Sequence, residues 1–267
     1  MIKKFQDLNY TDFVGSINQW NVLPGSYDTL SKWKVFSNLN EKSRLLEIAC
    51  TTGFSSRELA VMTNCSGVGI DISEKSVEAA QKNKDIYSPE INIDYKIADG
   101  CTYQDSKLFS HIVLGSGLGF FDDPKQMTNH IPDILEEGGY VLASPFYAIK
   151  EIPQSLVEKA KKIFNITVTQ EDYKEVMNIY SDFEILFEEK SIPIPETEDE
   201  LDHYCESTIR KFEEEEGHLS EEDKKIAYGR LMEIKIMSNE LRPYQGYSTL
   251  VLRYRKSTYK KRCVELF

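Results

Sequence analysis

Hydrophobic and polar positions follow two rhythms between residues 44 and 144. Short apolar runs typical of buried strands alternate with segments whose apolar residues recur at helical spacing. Strands are predicted at 44–50 (RLLEIAC), 67–72 (GVGIDI), 91–98, from 111 (HIVL) and at 140–144 (YVLAS), and helices at 55–63, 73–85 and 124–136. Regular alternation with short connections is typical of a mostly parallel sheet, wound with helices on both faces.

The two ends of the chain depart from this rhythm. The first forty residues alternate aromatic and polar positions around a break at Leu23-Pro24-Gly25, which predicts two short helices covering the sheet. Later segments are predicted as two helices within 151–180 (the second opened by Thr169 with Asp172), an extended stretch at 183–195, a helical insertion at 197–239 opened by Thr197 with Glu200, and a strand at 247–254. The two late strands are expected to pair antiparallel at one sheet edge.

These elements predict one Rossmann-like α/β domain over residues 1–267. About seven strands are expected, in a doubly wound and mostly parallel sheet with an antiparallel edge strand. Residues 1–40 would be the N-terminal helical cover, 41–150 the cofactor-binding core and 197–239 the helical insertion or lid. A hydrophobic fraction of 40% is enough for a substantial core in a chain of this length.

Charge and cysteine usage narrow the function classes. The formal net charge of −12 repels phosphate backbones, so nucleic acid is not expected as a partner, and the basic stretch Arg253–Arg262 is interpreted as a solvated chain end. Five cysteines without any CxxC pair indicate reduced thiols and no metal site. Because neither a signal peptide nor an apolar run of about 20 residues is present, we expect a cytoplasmic protein without a membrane span.

The stretch LEIACTTGF, residues 46–54, joins the first strand to the next helix. In an open α/β sheet this turn needs small residues, since the backbone must approach a bound ligand closely. A dinucleotide-binding turn would carry glycines at 49, 51 and 54, where this chain has Ala49, Thr51 and Phe54. A phosphate-binding P-loop is excluded because no Gly-Lys-Ser/Thr follows.

Acidic residues end the second and third strands. Asp71 comes 18 residues after Gly53 and can accept hydrogen bonds from ribose hydroxyls, while Ile72 can cover an adenine face. Asp99, in the sequence ADG, can accept a hydrogen bond from an adenine amino group. The carboxyl ends of these strands would share one rim of the sheet, so the pattern favours a nucleoside-containing cofactor.

The segments LLEIACTTG, GVGIDIS, IADG and LEEGGYVLAS together resemble the class I S-adenosylmethionine-dependent methyltransferases. The resemblance covers residues 40–145 and is closest to small-molecule methyltransferases of the ubiquinone/menaquinone-biosynthesis type. In that family the first loop reads acid-x-Gly-x-Gly-x-Gly; Glu47 and Gly53 match it, whereas Ala49 and Thr51 do not. Ser110 stands where the family has the acid of a Phe-Asp pair.

The resemblance implies S-adenosylmethionine as cofactor and a small-molecule acceptor. It also implies a lid formed by the insertion, where His203 is a candidate acceptor contact or base; no other catalytic residue is assigned. The implied cofactor-binding residues are Tyr27, Glu47, Ala49, Gly53, Asp71, Ile72, Asp99, Gly100, Gly115 and Ser116.

Other interpretations remain open for the same residues. Asp71 could cap the following helix, Gly53 could serve packing alone, and the insertion could be a fixed hairpin instead of a mobile lid. For the whole chain, the alternatives to methyl transfer are a binding protein that kept the fold without turnover and a nucleotide-dependent oxidoreductase. The missing GxGxxG argues against the oxidoreductase.

Overall fold

The computed structural model describes residues 5–255 apart from Val22 and Asp122, and within them eight strands form a single sheet. Most of the basic C-terminal stretch therefore lies outside the described residues. The strands are β1 Arg44–Ile48, β2 Ser66–Asp71, β3 Asn92–Ile97, β4 Phe109–Gly115, β5 Leu135–Ala143, β6 Phe146–Ala148, β7 Glu184–Ser191 and β8 Gln245–Arg253.

Nine α-helices accompany these strands in the same described residues. They are α1 Tyr10–Ser16, α2 Ser26–Phe36, α3 Phe54–Thr63, α4 Glu74–Tyr87, α5 Pro124–Ile134, α6 Gln154–Phe164, α7 Tyr173–Asn178, α8 Glu198–Glu216 and α9 Glu221–Leu241. None of the helices in the described part of the chain has the length and apolarity needed to cross a membrane.

Five parallel strands, in the order β3-β2-β1-β4-β5, make up most of the sheet. The order reverses beside β1, since β2 and β4 both pair with it, and open α/β sheets bind ligands at such a switch point. The antiparallel β8 completes the sheet: Leu250 pairs with Ala143 of β5 and with Glu188 of β7, so β8 lies between those strands. The predicted fold class is confirmed.

The core divides between the two faces of the sheet, because successive strand residues point to opposite sides. In β1, Leu46 packs in a cluster that includes Ile131 of α5, whereas Leu45 packs in one that includes Trp33 of α2 and Leu59 of α3. These side chains are fully buried. The sheet is thus a rigid frame on which the loops at its carboxyl edge are mounted.

Three details of the prediction are wrong. Helix α5 ends at Ile134 and not at 136, since Leu135 has extended backbone angles and pairs with Phe109 of β4. Helix α7 is capped by Asp172, which forms a capping box with Glu175, and not by Thr169. Residues 146–148 form the additional strand β6, which pairs with β8 and brings the sheet to eight strands.

Helices α8 and α9 form a hairpin within the predicted insertion. Their apolar faces do not pack on the sheet but on the helices at its rim, where Phe13 of α1, Phe164 of α6, Ile209 of α8 and Leu231 of α9 share one cluster. The insertion is therefore part of a helical layer that α1 and α6 complete.

Candidate functional site

The loop between β1 and α3 has an unusual backbone. Ala49, Thr51 and Gly53 all have left-handed φ angles, of 55°, 48° and 76°. This conformation is natural for glycine and costs other residues roughly 1–2 kcal/mol each. The loop therefore adopts the shape for which alternating glycines are suited, although two of the three positions carry a side chain.

Gly53 meets a second requirement that its neighbours do not. A Cβ atom at this position would lie 2.6 Å from the hydroxyl oxygen of Tyr95 on β3. That hydroxyl is 3.1 Å from the Gly53 carbonyl oxygen, to which it donates a hydrogen bond. Glycine is thus needed at 53 both for the backbone angle and for the close contact.

Asp71, at the end of β2, holds this loop. Its Oδ2 accepts the backbone N–H of Thr51 and its Oδ1 accepts that of Ser73, each at 2.9 Å. Burial raises the pKa of the Asp71 carboxyl, and these backbone hydrogen bonds lower it. Ser73, and not Asp71, caps α4, since its hydroxyl accepts the Ser76 N–H. Each carboxylate oxygen keeps capacity for a further hydrogen bond, as ribose binding requires.

Glu47 of β1 contacts the first turn of α3, just after the loop. The carboxylate is buried, and its Oε2 accepts the backbone N–H of Ser56 at 2.9 Å. Burial raises the pKa of Glu47, while the hydrogen bonds from Ser56 lower it. This hydrogen bond fixes the start of α3 against β1, so Glu47 helps to set the conformation of the loop between them.

Residues that suit an adenine base lie at the ends of β2 and β3. Ile72 is 74% exposed, and Asp99 is also exposed, with its Oδ1 accepting the Cys101 N–H at 2.9 Å. A Cβ atom at Gly100 would come within 2.6 Å of the Ile48 side chain, so the chain passes tightly behind Asp99. An accessible aliphatic side chain and a carboxylate fit the face and the amino group of an adenine.

The loop after β4 meets the first loop across the switch point. Gly115 has a φ of 54°, and Ser116 follows it before a 3-10 turn. A Cβ atom at Gly117 would lie 3.3 Å from the Ala49 methyl group. Ala49 and the β4 loop are therefore direct neighbours, and the predicted site residues on β1 and β4 converge.

The N-terminal segment crosses this edge of the sheet. We call residues 10–25, Val22 apart, the strap. Asp12 accepts a hydrogen bond from the Ser73 hydroxyl at 2.8 Å, and the Gln19 carbonyl accepts one from the Thr52 hydroxyl at 2.7 Å. Further along the strap, Leu23 lies beside Gly115 and Gly25 lies beside the Tyr247 hydroxyl. The strap thus passes over the ends of β2, β1 and β4 and reaches β8.

Sequence reasoning placed a cover here but missed these contacts. Asp12 and Gln19 carry no periodic signal, and Gln19 bonds Thr52 through a main-chain atom that any residue would offer. Only the three-dimensional path of the strap reveals them.

Two further predicted residues lie at the margin of this arrangement. Tyr27 on α2 is 47% exposed, contacts Phe54 edge-on at a centroid distance of 5.3 Å and donates to Glu58 at 3.2 Å. Burial and Glu58 raise the pKa of Tyr27. His203 lies on the exposed face of α8, with its ring 3.5 Å from the Ser207 hydroxyl. The structure therefore brings Tyr27 beside the first loop, while His203 points to solvent.

Aromatic side chains gather where the strap meets the β4 loop and the helical layer. Tyr10 of the strap stacks nearly parallel to Phe120, with ring centroids 6.1 Å apart, and contacts Phe164 edge-on at 5.3 Å. Burial raises the pKa of Tyr10 to about 12, so its hydroxyl stays protonated at neutral pH. Phe120 is itself 43% exposed, so these rings form a partly accessible aromatic surface beside the β4 loop.

Comparison with protein families gives a match over the same region. A family model described as a methyltransferase domain matches residues 39–184, more than half of the chain. Malonyl-[acyl-carrier protein] O-methyltransferase 1 of Ilyobacter polytropus is 31% identical over 117 residues, which are 43% of this chain and 42% of that protein. The match thus spans about two fifths of the curated relative's length.

Solved structures share the fold over most of the chain. The MccD protein is 27% identical with a TM-score of 0.71, covering 88% of this chain and 100% of that one. A methyltransferase from Thiobacillus denitrificans, crystallised with S-adenosyl-L-homocysteine, is 16% identical with a TM-score of 0.67, over 93% of this chain and 100% of that one. A third neighbour is the [4+2]-cyclase SpnF, with 14% identity and a TM-score of 0.62, over 85% of this chain and 81% of that one.

Proposed function

The chain belongs to the methyltransferase domain family, in its class I, S-adenosylmethionine-dependent type, and from this premise we propose that it transfers a methyl group to a small-molecule acceptor by in-line displacement. One observation carries the proposal. The β1–α3 loop keeps left-handed angles at 49, 51 and 53 although only the last is glycine, and Asp71 holds its centre. A strained loop of this shape at a switch point suits close backbone approach to a cofactor.

The cofactor would be held by four successive strand ends. Asp71 accepts the ribose hydroxyls, Ile72 and Asp99 with Gly100 receive the adenine, and Gly115 with Ser116 border the methionine part. Ala49 and Gly53 let the backbone come close, Glu47 supports them from below, and Tyr27 closes the side. The exposed Ile72 and Asp99, and the spare acceptor capacity of Asp71, support this assignment.

S-adenosylmethionine supplies a methyl group that its own sulfonium already activates. The protein's task is then to align the acceptor atom and to keep water out, and both are positioning effects. The stacked Tyr10 and Phe120 and the overlying strap serve the second task. A strong general base is needed only if the acceptor arrives protonated, and the exposed His203 remains a candidate for that role only if α8 moves.

We further infer that the whole chain works as one domain with three parts. Residues 1–40 act as the cover, 41–150 as the cofactor-binding core, and 197–239 as a lid. The cluster that joins α1, α6, α8 and α9 supports a lid that moves together with the cover.

Ligand binding tests the proposal directly. S-adenosylhomocysteine should raise the melting temperature, and at 100 times its dissociation constant it would add about 2.7 kcal/mol of stability. NAD and ATP serve as controls and should have no effect. If the melting temperature of a folded sample does not change at millimolar S-adenosylhomocysteine, cofactor binding is refuted.

A second candidate is a binding protein with this fold and no turnover. Ala49 and Thr51, which adopt angles suited to glycine, favour it, as does Ser110 in place of the family's acid. In the structure Ser110 bonds the backbone N–H of Arg44 at 2.9 Å, so it joins β4 to β1 in a structural role. Incubation of the purified protein with methyl-labelled S-adenosylmethionine and a protein-free small-molecule extract separates the two, because a small molecule is then labelled only if this chain transfers the methyl group.

A further inference from the structure

A chain of hydrogen bonds joins the end of α8 to the loop between β1 and α3. It starts at Glu215, whose Oε2 accepts the side-chain amide of Asn18 in the strap at 2.9 Å. Asn18 and Asn83 of α4 bond each other twice, each Nδ2 donating to the other's Oδ1 at 2.8 Å. Asn83 Nδ2 also donates to the backbone carbonyl of Thr52 at 3.0 Å. The insertion, the strap, α4 and the β1–α3 loop thus share one polar network.

The two asparagines of this network are as inaccessible as the apolar core. Asn18 is 5% exposed and Asn83 is fully buried. Buried amides are destabilising unless their donors and acceptors are paired, and here the partners are the other amide, Glu215 and the loop. Asn18 also has a left-handed φ of 52°, which asparagine tolerates better than most residues. Both positions therefore favour asparagine for reasons of hydrogen bonding and backbone geometry.

Glu215 is the residue through which the insertion enters the network. Its side chain is only 8% exposed, and its Oε1 accepts the Tyr87 hydroxyl and forms an ion pair with Lys211 at 2.8 Å. Burial raises the pKa of Glu215, but contacts with Lys211, Tyr87 and Asn18 bring it below its ordinary value. The side chain is therefore a carboxylate at neutral pH, and a charged acceptor holds the Asn18 amide more strongly than a neutral one.

Thr52, at the other end of the network, lies between two residues with left-handed backbone angles, Thr51 and Gly53. A strained non-glycine conformation persists only where the surrounding structure over-determines it. The Thr52 hydroxyl is held by the Gln19 carbonyl at 2.7 Å, and its own carbonyl is held by Asn83, with Arg57 Nη1 farther away at 3.5 Å. Hydrogen bonds from outside the loop thus maintain a shape that glycines would adopt without strain.

We propose that Asn83 and Glu215 are positioning residues for cofactor binding, since the docked insertion holds the β1–α3 loop in its binding conformation through Asn18 and Asn83. The choice of ligand rests on the proposed function. Both residues act through Thr52 and need no contact with the ligand themselves. The insertion then contributes to cofactor affinity from the end of α8 that packs against α4.

Calorimetric titration with S-adenosylhomocysteine tests this role. Glu215→Ala and Asn83→Ala should each weaken binding about fivefold or more, the lower end of typical coupling between separate sites. Glu213→Ala is the matched control: it lies two residues earlier on the same helix and removes an ion pair with Lys224 of α9 at 3.1 Å. Because it loosens the hairpin without touching the asparagines, its affinity should equal that of the wild type.

A rescue variant separates positioning from general packing. Asn18→Asp keeps the side-chain shape and tolerates the left-handed angle, but it places a second carboxylate against Glu215, so S-adenosylhomocysteine should bind more weakly. Adding Glu215→Gln supplies an amide that can donate to the new carboxylate, and this should recover about threefold or more of the lost affinity. The same pair carries the test if Glu215→Ala does not fold. Absence of any recovery would overturn the proposal.

Hydrogen exchange of the unliganded protein gives a readout that does not depend on the ligand. The amides of Thr51 and Gly53, bonded to Asp71 and to the Cys50 carbonyl, should exchange faster in Glu215→Ala and Asn83→Ala than in the wild type. In Glu213→Ala they should exchange at the wild-type rate.

The outcomes separate the two proposals. If the wild type binds S-adenosylhomocysteine, affinity decides: unchanged binding in Glu215→Ala and Asn83→Ala overturns the positioning role. Equal weakening in Glu213→Ala also overturns it, because general loosening of the hairpin would then account for the loss. If the wild type binds no S-adenosylhomocysteine, the proposed function is contradicted, and loop exchange alone decides whether the network positions the loop.

Discussion

The backbone N–H of Thr51 donates to Asp71 Oδ2 at 2.9 Å, so a carboxylate at the end of β2 holds the loop that follows β1. Its other oxygen holds Ser73 at the start of α4. Asp71 thus joins two neighbouring loops through hydrogen bonds to their backbones, and it is also a candidate ribose ligand. The two roles have different consequences for mutation.

Asp71→Asn should weaken S-adenosylhomocysteine binding about tenfold or more, since a charge-assisted contact is lost. It should also lower the free energy of unfolding of the unliganded protein by about 1–3 kcal/mol, because an amide can accept only one of the two backbone hydrogen bonds through its oxygen. Calorimetry and denaturant unfolding measure the two effects separately. If the affinity for S-adenosylhomocysteine is unchanged while the free energy of unfolding falls, Asp71 serves only to join the two loops.

Ala49→Gly and Thr51→Gly should each stabilise the protein. Glycine relieves about 1–2 kcal/mol of left-handed strain and loses about 0.5–1 kcal/mol to unfolded-chain entropy, so a gain of up to about 1.5 kcal/mol is expected per site. Gly53→Ala is the opposite control and should cost about 2 kcal/mol or more, given its angle and the Tyr95 contact. Urea unfolding decides; destabilisation by both glycine variants would mean that the loop has another conformation.

His111 should make stability depend on pH below neutrality. Its ring is buried in β4 between the Ser110 hydroxyl and the Ser37 carbonyl, and burial lowers its pKa from 6.5 to about 4. As the pH falls from 6.5 to 4, the His111 ring becomes protonated in the unfolded chain but stays neutral in the native protein. The free energy of unfolding should therefore drop by about 3 kcal/mol over this window.

The slope can be assigned by comparing variants. Glu47 and Asp71 act in the opposite direction: because their pKa values are raised in the folded protein, they increase the free energy of unfolding as the pH falls. The pH dependence of the wild type alone therefore does not identify the contribution of His111. His111→Gln should remove the drop. His218→Gln, at a side chain that is 94% exposed, should retain it. Identical pH curves for the wild type and His111→Gln would contradict the assignment.

Hydrogen exchange should report the linkage between strap, insertion and cofactor. Helices α8 and α9 pack on the rim helices and not on the sheet, so their amides should exchange faster than those of β1. S-adenosylhomocysteine should slow exchange in the loops after β1 and β2, and a slowing in residues 197–239 when an acceptor is also bound would show that the insertion closes over the site. Uniformly slow exchange in the insertion, with no ligand effect, would make it a fixed hairpin.

The fold could be predicted from the sequence because its core strands are short apolar runs separated by clear helix starts. Ser73 and Thr197 cap helices as expected. The end of α5 could not be predicted, since local preference at Glu136 favours a helix while pairing of Leu135 with Phe109 draws the chain into β5. Tertiary pairing overrides helix propensity at such a junction.

The candidate site was only partly accessible to the same reasoning. Asp71 and Asp99 stand at strand ends, where topology alone places them on one rim. The strap could not be placed, because its contacts use main-chain atoms and single polar side chains that leave no pattern in sequence.

The strap and the insertion share one core although they lie near opposite ends of the chain. Phe13 and Ile17 of the strap region pack with Ile209 and Leu231 of the insertion. Transplanting the insertion alone into a relative would therefore expose the apolar face that the strap covers here, so the two segments have to be transferred together. The strap and the insertion therefore constitute a single packing unit beside the parallel sheet.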